Sequence, residues 1–553
     1  MNILICCAGL AAALATDDWD AVAERVRAAA AHTFAGYERH AWGHDELRPV
    51  TNGSRDNWGA LAVTMVDSLD TLLLMQLTPQ YERARDWLVA NLPAKLERDS
   101  DVPFFEVTIR CLGGLLGAHT LSPDPALLKL AETLGEKLLG AFESPSGIPF
   151  CTVNLAAGNA SCPRSDFGYS IPLAELGSVQ LEFGALAAFV ERPEFARVAD
   201  AALRALLRLP SRDGLYPSRL RPHSGGPAAK EVSFGSGTDS FYETLLKRWL
   251  QTGGTEAWLL QMYRDSLRGL QRLLRRSQPS GMLFVAREDF AQQGALPERL
   301  RLRSEQTHEH LTCFVPGMLA LGAPHGGDAL GEAEAWRIAR ELLSTCLELY
   351  RQSPTGLGPE RVAFHTAASR DAAHDEARRR AALDQRAALA RGERPDAFEA
   401  RSAIAISLLG DDTDFEVIDP QWPLRPELLE SLYVMWALEP EEARRDEYRQ
   451  QGLAIFEAIE RHCRTPSGYS GLRGAARLSN TLESFFLAET LKYLYLLFAA
   501  PEQLPFSLAT HVLTTEAHVL PVPPLRPKQD VAAAQPSEAD DASQRAELPP
   551  WWR

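Results

Sequence analysis

The feature that most constrains the fold of this chain is a long succession of amphipathic helical segments. Apolar residues recur at i, i+3 and i+4, and clusters of Pro, Gly and Ser separate one such stretch from the next. Strand-like pieces are short, for example residues 282–287. The predicted helices are 21–37, 60–75, 107–121, 127–142, 173–190, 195–207, 240–250, 256–274, 332–349, 427–437, 444–463 and 482–498.

Sequential helices along most of a 553-residue chain can assemble in two ways. One is an open solenoid, and the other is a closed toroid of helical hairpins. No fixed sequence period is visible, which favours the toroid. The long loops between the helices carry acidic and aromatic residues, as functional loops do.

The sequence predicts a single folded domain at residues 16–523. This domain contains one internal insertion, and a separate short segment lies at each end of the chain. The stretch 366–398 is rich in Ala and Arg, which favours a solvent-exposed helical insertion. Residues 524–553 are rich in Pro, Ala, Gln, Asp and Ser and are predicted to be disordered.

The first 15 residues are predicted to be a signal peptide. The apolar run from Ile3 to Ala15 is too short to span a bilayer, which takes about 20 residues, and it ends in the small-x-small tripeptide A-L-A. No Lys or Arg precedes the run, so an apolar start of a cytosolic protein remains the alternative. Neither reading requires a membrane anchor.

Charge and cysteine usage favour a lumenal protein that does not bind nucleic acid. The formal net charge is −16, so no basic field is available to displace counterions from phosphates. Cys151 and Cys162 bracket a short loop and could close it. Asn52 and Asn159 lie in glycosylation sequons, which agree with a secretory route.

Several carboxylates lie at helix starts or in apolar surroundings. Glu106 precedes Arg110 by one turn, so the two share a face; the apolar flanks favour a protonated carboxyl, as a general acid requires, and a surface ion pair is the alternative. Asp239 follows a glycine-rich turn, where an N-cap is the alternative. Glu427 follows Pro426 in a first helical turn, where the helix dipole alone would favour an acid.

Other acidic residues of the chain also lie at helix starts or in apolar runs. An isolated buried charge is very costly, so such carboxylates must be paired, protonated or bound to a ligand. Together they predict an acidic pocket suited to a divalent cation or a polyol. Two carboxylates that protonate a leaving oxygen and activate a water perform glycoside hydrolysis, but this pattern does not identify the sugar. The further acids are Glu175, Glu182, Glu360, Glu430, Glu483 and Glu489.

At these motifs the chain resembles glycoside hydrolase family 47, the class I α-1,2-mannosidases. The matching segments fall in order between residues 41 and 518. The resemblance implies an all-α (α/α)7 barrel of helical hairpins with short β-hairpins in the loops. It also implies Ca²⁺ at the barrel base and an inverting exo-α-1,2-mannosidase that trims high-mannose N-glycans. The segments are AWGHDELRPV, MVDSLDTLLLM, FFEVTIRCLGGLLGAHTLS, SGIPF, LAELGSVQLEF, TDSFYETLLKRWL, HLTCFVPGMLALG, TGLGPE, LRPELLESLY, LESFFLAETLKYLYLLF and TTEAH.

The resemblance also assigns roles to individual residues. Glu106 resembles the general acid, and Asp239 and Glu427 resemble the two residues that activate the water; which of them is the base stays open. Glu360 resembles a further active-site carboxylate, and Thr515 resembles the calcium ligand, which binds through its carbonyl and hydroxyl oxygens. Sugar-contacting or supporting positions and outer-shell carboxylates are Arg110, His310, Glu175, Glu182, Glu430, Glu483 and Glu516, and Cys313 and Cys346 match the disulfide pair of the family.

One position leaves the branch of the family open. Gly237, two residues before Asp239, is similar to the degradation-linked branch, whereas the AWGHDEL and GLGPE segments resemble the processing branch. The first expectation is therefore a monomeric processing enzyme in the lumen of the endoplasmic reticulum or Golgi, with secretion as an alternative location. A degradation-type protein acting on misfolded glycoproteins and a mannose-binding lectin on the same fold are the alternatives.

Overall fold

The computed structural model describes residues 18–523, apart from 210, 290–297, 374, 376–378, 380–382, 384–412 and 475. The predicted signal peptide at 1–15, the predicted tail at 524–553 and most of the predicted insertion at 366–398 lie outside the described residues. Within the described part of the chain, no helix has both the length and the apolar character that crossing a membrane requires.

Helices dominate the described structure. The first nine are α1 Trp19–His40, α2 Val63–Asp67, α3 Leu69–Leu74, α4 Thr78–Leu96, α5 Phe104–Glu106, α6 Gly113–Leu121, α7 Pro125–Leu138, α8 Leu173–Gly177 and α9 Gln180–Phe189. The others are α10 Glu194–Leu206, α11 Asp239–Gln251, α12 Ala257–Leu273, α13 Glu298–Glu305, α14 Val315–Gly322, α15 Glu332–Gln352, α16 Glu427–Leu438, α17 Glu442–His462 and α18 Leu491–Phe498. Short 3₁₀-helices span Leu139–Phe142, His310–Phe314, Ala323–His325 and Pro501–Gln503.

These helices form two concentric rings. The outer ring consists of α1, α4, α7, α10, α12, α15 and α17, and the chain returns from each of them to an inner helix. The inner ring consists of α2 with α3, then α6, α9, α11, α14, α16 and α18. The last inner helix, α18, packs against α1, which closes the ring. The structure is therefore an (α/α)7 barrel, and the open solenoid is excluded.

Burial explains which helices the sequence pattern detected. The outer helix α10 has one apolar stripe and a polar face, whereas every residue of the inner helix α18 is buried. The inner helix α14 was not predicted, because a helix that is apolar all round shows no period. The outer helix α4 was also not predicted; it contains an internal proline, Pro93, and is rich in charged residues.

Four predicted helices differ from the structure, and the differences lie near the centre of the barrel. The predicted helix 60–75 is two helices, α2 and α3, that meet at Ser68, and the predicted helix 173–190 is interrupted between α8 and α9. The other two each contain a π-helical turn, Val107–Leu112 before α6 and Phe486–Thr490 before α18. Such turns are common at functional sites, because the extra residue redirects side chains.

The strands form small antiparallel pairs and triplets between the helices, as predicted. One pair, β19 with β20, inserts between the inner helices α6, α9 and α11. The strands are β1 Glu46–Arg48, β2 Gly53–Arg55, β3 Asp101–Pro103, β4 Thr152–Asn154, β5 Ala160–Ser161, β6 Ile171–Pro172, β7 Arg219–Leu220, β8 Glu231–Val232, β9 Leu274–Arg276, β10 Leu283–Val285, β11 Glu288–Asp289, β12 Thr307–Glu309, β13 Arg361–Phe364, β14 Phe415–Asp419, β15 Arg464–Thr465, β16 Gly468–Tyr469, β17 Leu472–Arg473, β18 Arg477–Leu478, β19 His511–Leu513 and β20 Val519–Pro521.

Both expected disulfides are formed. Cys151–Cys162 closes the short loop that contains β4 and β5, and Cys313–Cys346 links the start of the inner helix α14 to the outer helix α15. In the described residues Cys111 and Cys463 are free thiols, and both are buried.

Candidate active site

A cavity of about 750 Å³ opens at one end of the barrel, among the loops that precede the inner helices. Its lining is strongly charged, with ten carboxylates facing five arginines. Eight of the twelve residues to which the family resemblance gave a role line this cavity together: Glu106, Arg110, Glu175, Asp239, Glu427, Glu430, Thr515 and Glu516.

Glu106 is the last residue of α5, and Arg110 lies on the π-helical turn that follows it. Arg110 Nε donates to Glu106 Oε2 at 2.9 Å, and its Nη1 donates to Ser484 Oγ at 3.2 Å and contacts Glu516. The Arg110 side chain is only 10% exposed, whereas that of Glu106 is 26% exposed. The pair is therefore not a surface ion pair, because Arg110 is buried under the cavity and presents Glu106 to it.

Asp239 is the first residue of α11. Thr238 occupies the N-cap position, so the N-cap alternative for Asp239 is wrong. The backbone N–H of Asp239 donates to the carbonyl of Gly235 at 3.0 Å, which fixes the turn that precedes the helix. Burial raises the pKa of Asp239 to about 8, and the nearby carboxylates Glu309 and Glu427 add to this rise.

Glu427 begins α16 and receives a chain of hydrogen bonds. His310 Nδ1 lies 2.8 Å from Glu427 Oε2, and His310 Nε2 lies 2.6 Å from the hydroxyl oxygen of Tyr350. Trp422 Nε1 donates to that hydroxyl oxygen at 3.0 Å, so the hydroxyl proton of Tyr350 is available to His310 Nε2. This hydrogen-bond logic assigns the proton of the neutral imidazole to Nδ1, from which it points at Glu427.

Arg425 adds a positive charge beside Glu427. Its guanidinium is held by Glu360 in a bidentate pair, with Nε to Oε2 at 3.0 Å and Nη2 to Oε1 at 2.6 Å, and Arg425 Nη1 lies 3.9 Å from Glu427 Oε1. Burial alone would raise the pKa of Glu427, but the hydrogen bond from His310 and the charge of Arg425 outweigh burial and hold that pKa below its ordinary value. Glu427 is therefore ionised at neutral pH.

The turn between β19 and β20 forms the floor of the cavity and carries Thr515. A fully buried charge network anchors this turn. Lys492 Nζ binds Asp70 Oδ2 at 3.0 Å, and His518 contacts Asp67 and Asp70 at 3.1 and 3.2 Å. None of these four side chains is exposed, so each charge depends on its partners.

Two glycines of α6 let this turn approach the inner ring. A Cβ atom on Gly113 would lie 2.5 Å from His518 Cδ2, and one on Gly117 would lie 2.9 Å from Asp70 Oδ2. The segment G-G-L-L-G in α6 therefore makes room for the charge network below Thr515.

Burial disfavours the ionised form of several carboxyl groups that line the cavity with Thr515. Burial raises the pKa of Glu175 to about 7 and that of Glu430 to about 8, the latter against the opposing charge of Lys247. Burial also raises the pKa values of Glu489 and Glu516 well above the ordinary range. A divalent cation would stabilise the ionised forms of such a set, and the donors available at Thr515 are oxygen atoms, which suit Ca²⁺.

A second group of potential ligand atoms does not form a metal site. In the described residues, His308, Cys313 and Cys346 are close enough together to hold an ion. However, the two cysteines form a disulfide, so their sulfur atoms are not thiolates.

Four predicted site residues do not line the cavity. His310 and Glu360 support Glu427 and Arg425 from behind, and the fully buried Glu182 lies near Thr514 and His518 below the floor. Glu483 pairs with Arg55 at 3.3 Å instead.

The cavity also contains residues to which the family resemblance gave no role. Glu489 lies on the second π-helical turn; its position in an apolar run was the available signal. Glu243, one turn after Asp239, and Arg425, in the L-R-P-E segment, also line the cavity. A similar sequence signal was available for Asp67, Asp70 and Lys492, which form the buried network below the cavity floor. Each is a charged residue in an otherwise apolar helix, and a buried charge of this kind needs a buried partner.

Residues 29–522 match the profile of Glycosyl hydrolase family 47. The chain belongs to this family. It is 36% identical to mannosyl-oligosaccharide 1,2-alpha-mannosidase MNS1 of Arabidopsis thaliana, over 90% of this chain and 78% of that protein. It is 35% identical to the human endoplasmic reticulum mannosyl-oligosaccharide 1,2-alpha-mannosidase, over 89% of this chain and 62% of that protein.

A solved structure of the same class supports the fold. The alpha-1,2-mannosidase from Trichoderma reesei superposes with a TM-score of 0.74 at 25% identity, covering 91% of this chain and 99% of that one. The family 47 membership makes this protein a glycoside hydrolase, and the cavity at the barrel mouth is its candidate active site.

Proposed function

We propose that this family 47 protein is a calcium-dependent exo-α-1,2-mannosidase that trims high-mannose N-glycans with inversion at the anomeric carbon. The observation that carries the proposal is the arrangement of Glu106, Asp239 and Glu427 around the Thr515 turn in one acidic cavity. The relatives named above are mannosyl-oligosaccharide 1,2-alpha-mannosidases, which supports the choice of substrate.

The proposed reaction uses carboxylates on separate inner helices. Glu106 precedes α6, whereas Glu427 begins α16, and these helices are not neighbours in the inner ring. Glu106 donates a proton to the leaving oxygen, and Glu427 accepts a proton from the attacking water. Inversion requires the two carboxyl groups to be about 6.5–9.5 Å apart so that a water fits between the base and the sugar.

The two candidates for the base differ in protonation. Glu427 is ionised through His310 and Arg425, whereas Asp239 has a pKa of about 8 because of burial. A base must be unprotonated before it can act, so we assign this role to Glu427. Asp239 then orients the water or a sugar hydroxyl.

Thr515 would hold the calcium ion through its hydroxyl and carbonyl oxygens, and Glu430, Glu489 and Glu516 would bind the waters around the ion. When bound, the ion supplies positive charge that orients sugar hydroxyls and offsets the surrounding carboxylates. The Asp67–Asp70–Lys492–His518 network keeps the Thr515 turn in position.

We also propose that the protein acts in the lumen of the secretory pathway. Its two disulfides fit an oxidising compartment, and one relative is named as an enzyme of the endoplasmic reticulum. Action as a monomer remains part of this proposal.

A time course on a high-mannose N-glycan tests the proposal. Released mannose and remaining glycan are followed by mass spectrometry, with Ca²⁺ and then with a chelator, and the anomer of the released mannose is read by NMR. We expect chelator-sensitive release of β-mannose. Release of the α-anomer would contradict inversion, full activity in chelator would contradict the role of calcium, and binding without release would favour a lectin.

Gly237 supports a second candidate function. It lines the cavity next to Asp239 with φ +80° and has no side chain, so this wall is more open than a larger residue would leave it. An open wall could accept glycans on a misfolded protein, as a degradation-type relative would. Faster trimming of a denatured glycoprotein than of the free glycan at equal glycan concentration would favour this candidate.

A further inference from the structure

Two neighbouring aromatic side chains are unusually exposed beside the active-site cavity. Phe167 is 52% exposed and Tyr169 is 58% exposed. They are the only aromatic side chains among the large exposed hydrophobic residues in the part of the chain that the structure describes. Leaving such rings in water forgoes the burial energy of a large apolar surface, which a ligand could recover.

Phe167 lies on the boundary between two cavities. It lines the active-site cavity with Glu175 and Arg219, and it also lines a separate groove of about 490 Å³. Tyr169, Arg221 and other residues complete that groove. A ligand that leaves the active site past Phe167 therefore enters this groove directly.

The loop that carries the two rings is held in one conformation. Ser165 and Gly168 exchange backbone hydrogen bonds at 2.9 and 3.0 Å, and the Ser165 hydroxyl also binds this turn. Arg219 donates to the hydroxyl and carbonyl oxygens of Ser170 at 3.1 and 2.9 Å, and its guanidinium lies 5.3 Å from the centre of the Phe167 ring. A preformed platform loses little entropy on binding.

The groove combines features that suit a sugar. Pyranose rings have apolar C–H faces that pack on aromatic rings, and their hydroxyl groups need hydrogen-bond partners. Phe167 and Tyr169 provide the rings, and Asp166, Arg221 and His223 provide polar groups at the same groove.

We propose that this groove is a second carbohydrate-binding site, which holds mannose residues of the same N-glycan beyond the terminal residue that is cleaved. This inference rests on the proposed mannosidase function. Phe167 packs against the first sugar beyond the two that flank the cleaved bond, and Tyr169 packs against a sugar farther along the glycan branch.

The test compares a long and a short substrate. The long substrate is a high-mannose N-glycan with nine mannose residues, and the short one is α-1,2-linked mannobiose, which does not reach Tyr169. For each variant, the ratio of kcat/KM on the glycan to kcat/KM on mannobiose is measured. We expect Phe167→Ala and Tyr169→Ala each to lower this ratio about tenfold, mainly through KM, and Phe167→Trp to preserve it.

Leu207→Ala is the matched control, because Leu207 is an apolar residue that is 48% exposed and lines neither cavity. The glycan-to-mannobiose ratio of this variant should equal that of the wild type. A wild-type ratio in both the Phe167→Ala and Tyr169→Ala variants would overturn the inference. If the wild type cleaves neither substrate, the proposed function fails. Calorimetric titration of glycan into the wild type and Tyr169→Ala then tests the groove separately, and equal affinities would overturn it.

Discussion

Replacing His310 by alanine tests whether the ionisation of Glu427 controls the reaction. His310 Nδ1 lies 2.8 Å from Glu427 Oε2, and this hydrogen bond helps to hold the pKa of Glu427 below its ordinary value against the opposing effect of burial. A hydrogen bond to a charged group contributes about 1.5–3 kcal/mol. Since about 1.4 kcal/mol corresponds to one pKa unit, the His310→Ala change should raise the pKa of Glu427 by about 1–2.

The base must be ionised, so the acid limb of the kcat–pH profile should move to higher pH by the same amount. Initial rates of mannose release, measured at saturating glycan and Ca²⁺ between pH 4 and pH 8, give this limb. His310→Asn is the control, because its amide nitrogen can replace Nδ1 as a donor to Glu427; its acid limb should stay near that of the wild type.

Two results would refute this reasoning. If His310→Ala leaves the acid limb in place, Glu427 is not the group that sets it. If His310→Asn moves the limb as far as His310→Ala, the donor to Glu427 is not the cause, and loss of the contact with Tyr350 or of packing explains the change instead.

Three further predictions follow from the same site. Thr515→Ala should abolish most of the Ca²⁺-dependent rise in melting temperature, which for a ligand at 100 times its Kd corresponds to about 2.7 kcal/mol; calorimetry with and without Ca²⁺ checks this, and an unchanged rise would remove Thr515 from the metal site. Glu106→Gln should lower kcat about 10²–10⁴-fold while glycan affinity, measured by titration calorimetry, is retained; a near-normal kcat would exclude the acid role. Lys492→Met should remove the lysine charge from the buried Asp70, which then keeps its contact with His518, and lower the free energy of unfolding by about 3–5 kcal/mol, read from urea denaturation. The exposed Arg25→Met is its control and should not shift the urea midpoint, and equal midpoints for the two variants would contradict the network's role.

The sequence predicted most of the outer ring because each outer helix has a polar and an apolar face. Helix α10, for example, buries Phe195, Ala199, Leu203 and Leu206 on one side, and this spacing is visible without a structure. Helix α14 is buried on all sides, so no period distinguishes it from a strand or a loop. The interruption between α2 and α3 at Ser68 was also missed, because the apolar pattern continues across it.

The candidate site was predictable in its members but not in its geometry. Motif resemblance selected Glu106, Asp239, Glu427 and Thr515, and all four line one cavity. It also selected Glu483, whereas the carboxylate that lines the cavity in this segment is Glu489. Both acids lie in the same apolar run, and the π-helical turn Phe486–Thr490 determines which of them faces inward.

The sequence by itself determined the helical class of the fold, the family, and the acidic residue types available for catalysis. The closure of the two rings decided which of those charges meet: Lys492 pairs with Asp70 across 422 positions of sequence, and His310 reaches Glu427 across 117. The physical reason is the distance along the sequence over which each interaction acts. Helix periodicity and capping act within one or two turns, whereas the protonation of Glu427 and the position of Thr515 depend on partners that only the packed barrel brings within hydrogen-bond distance.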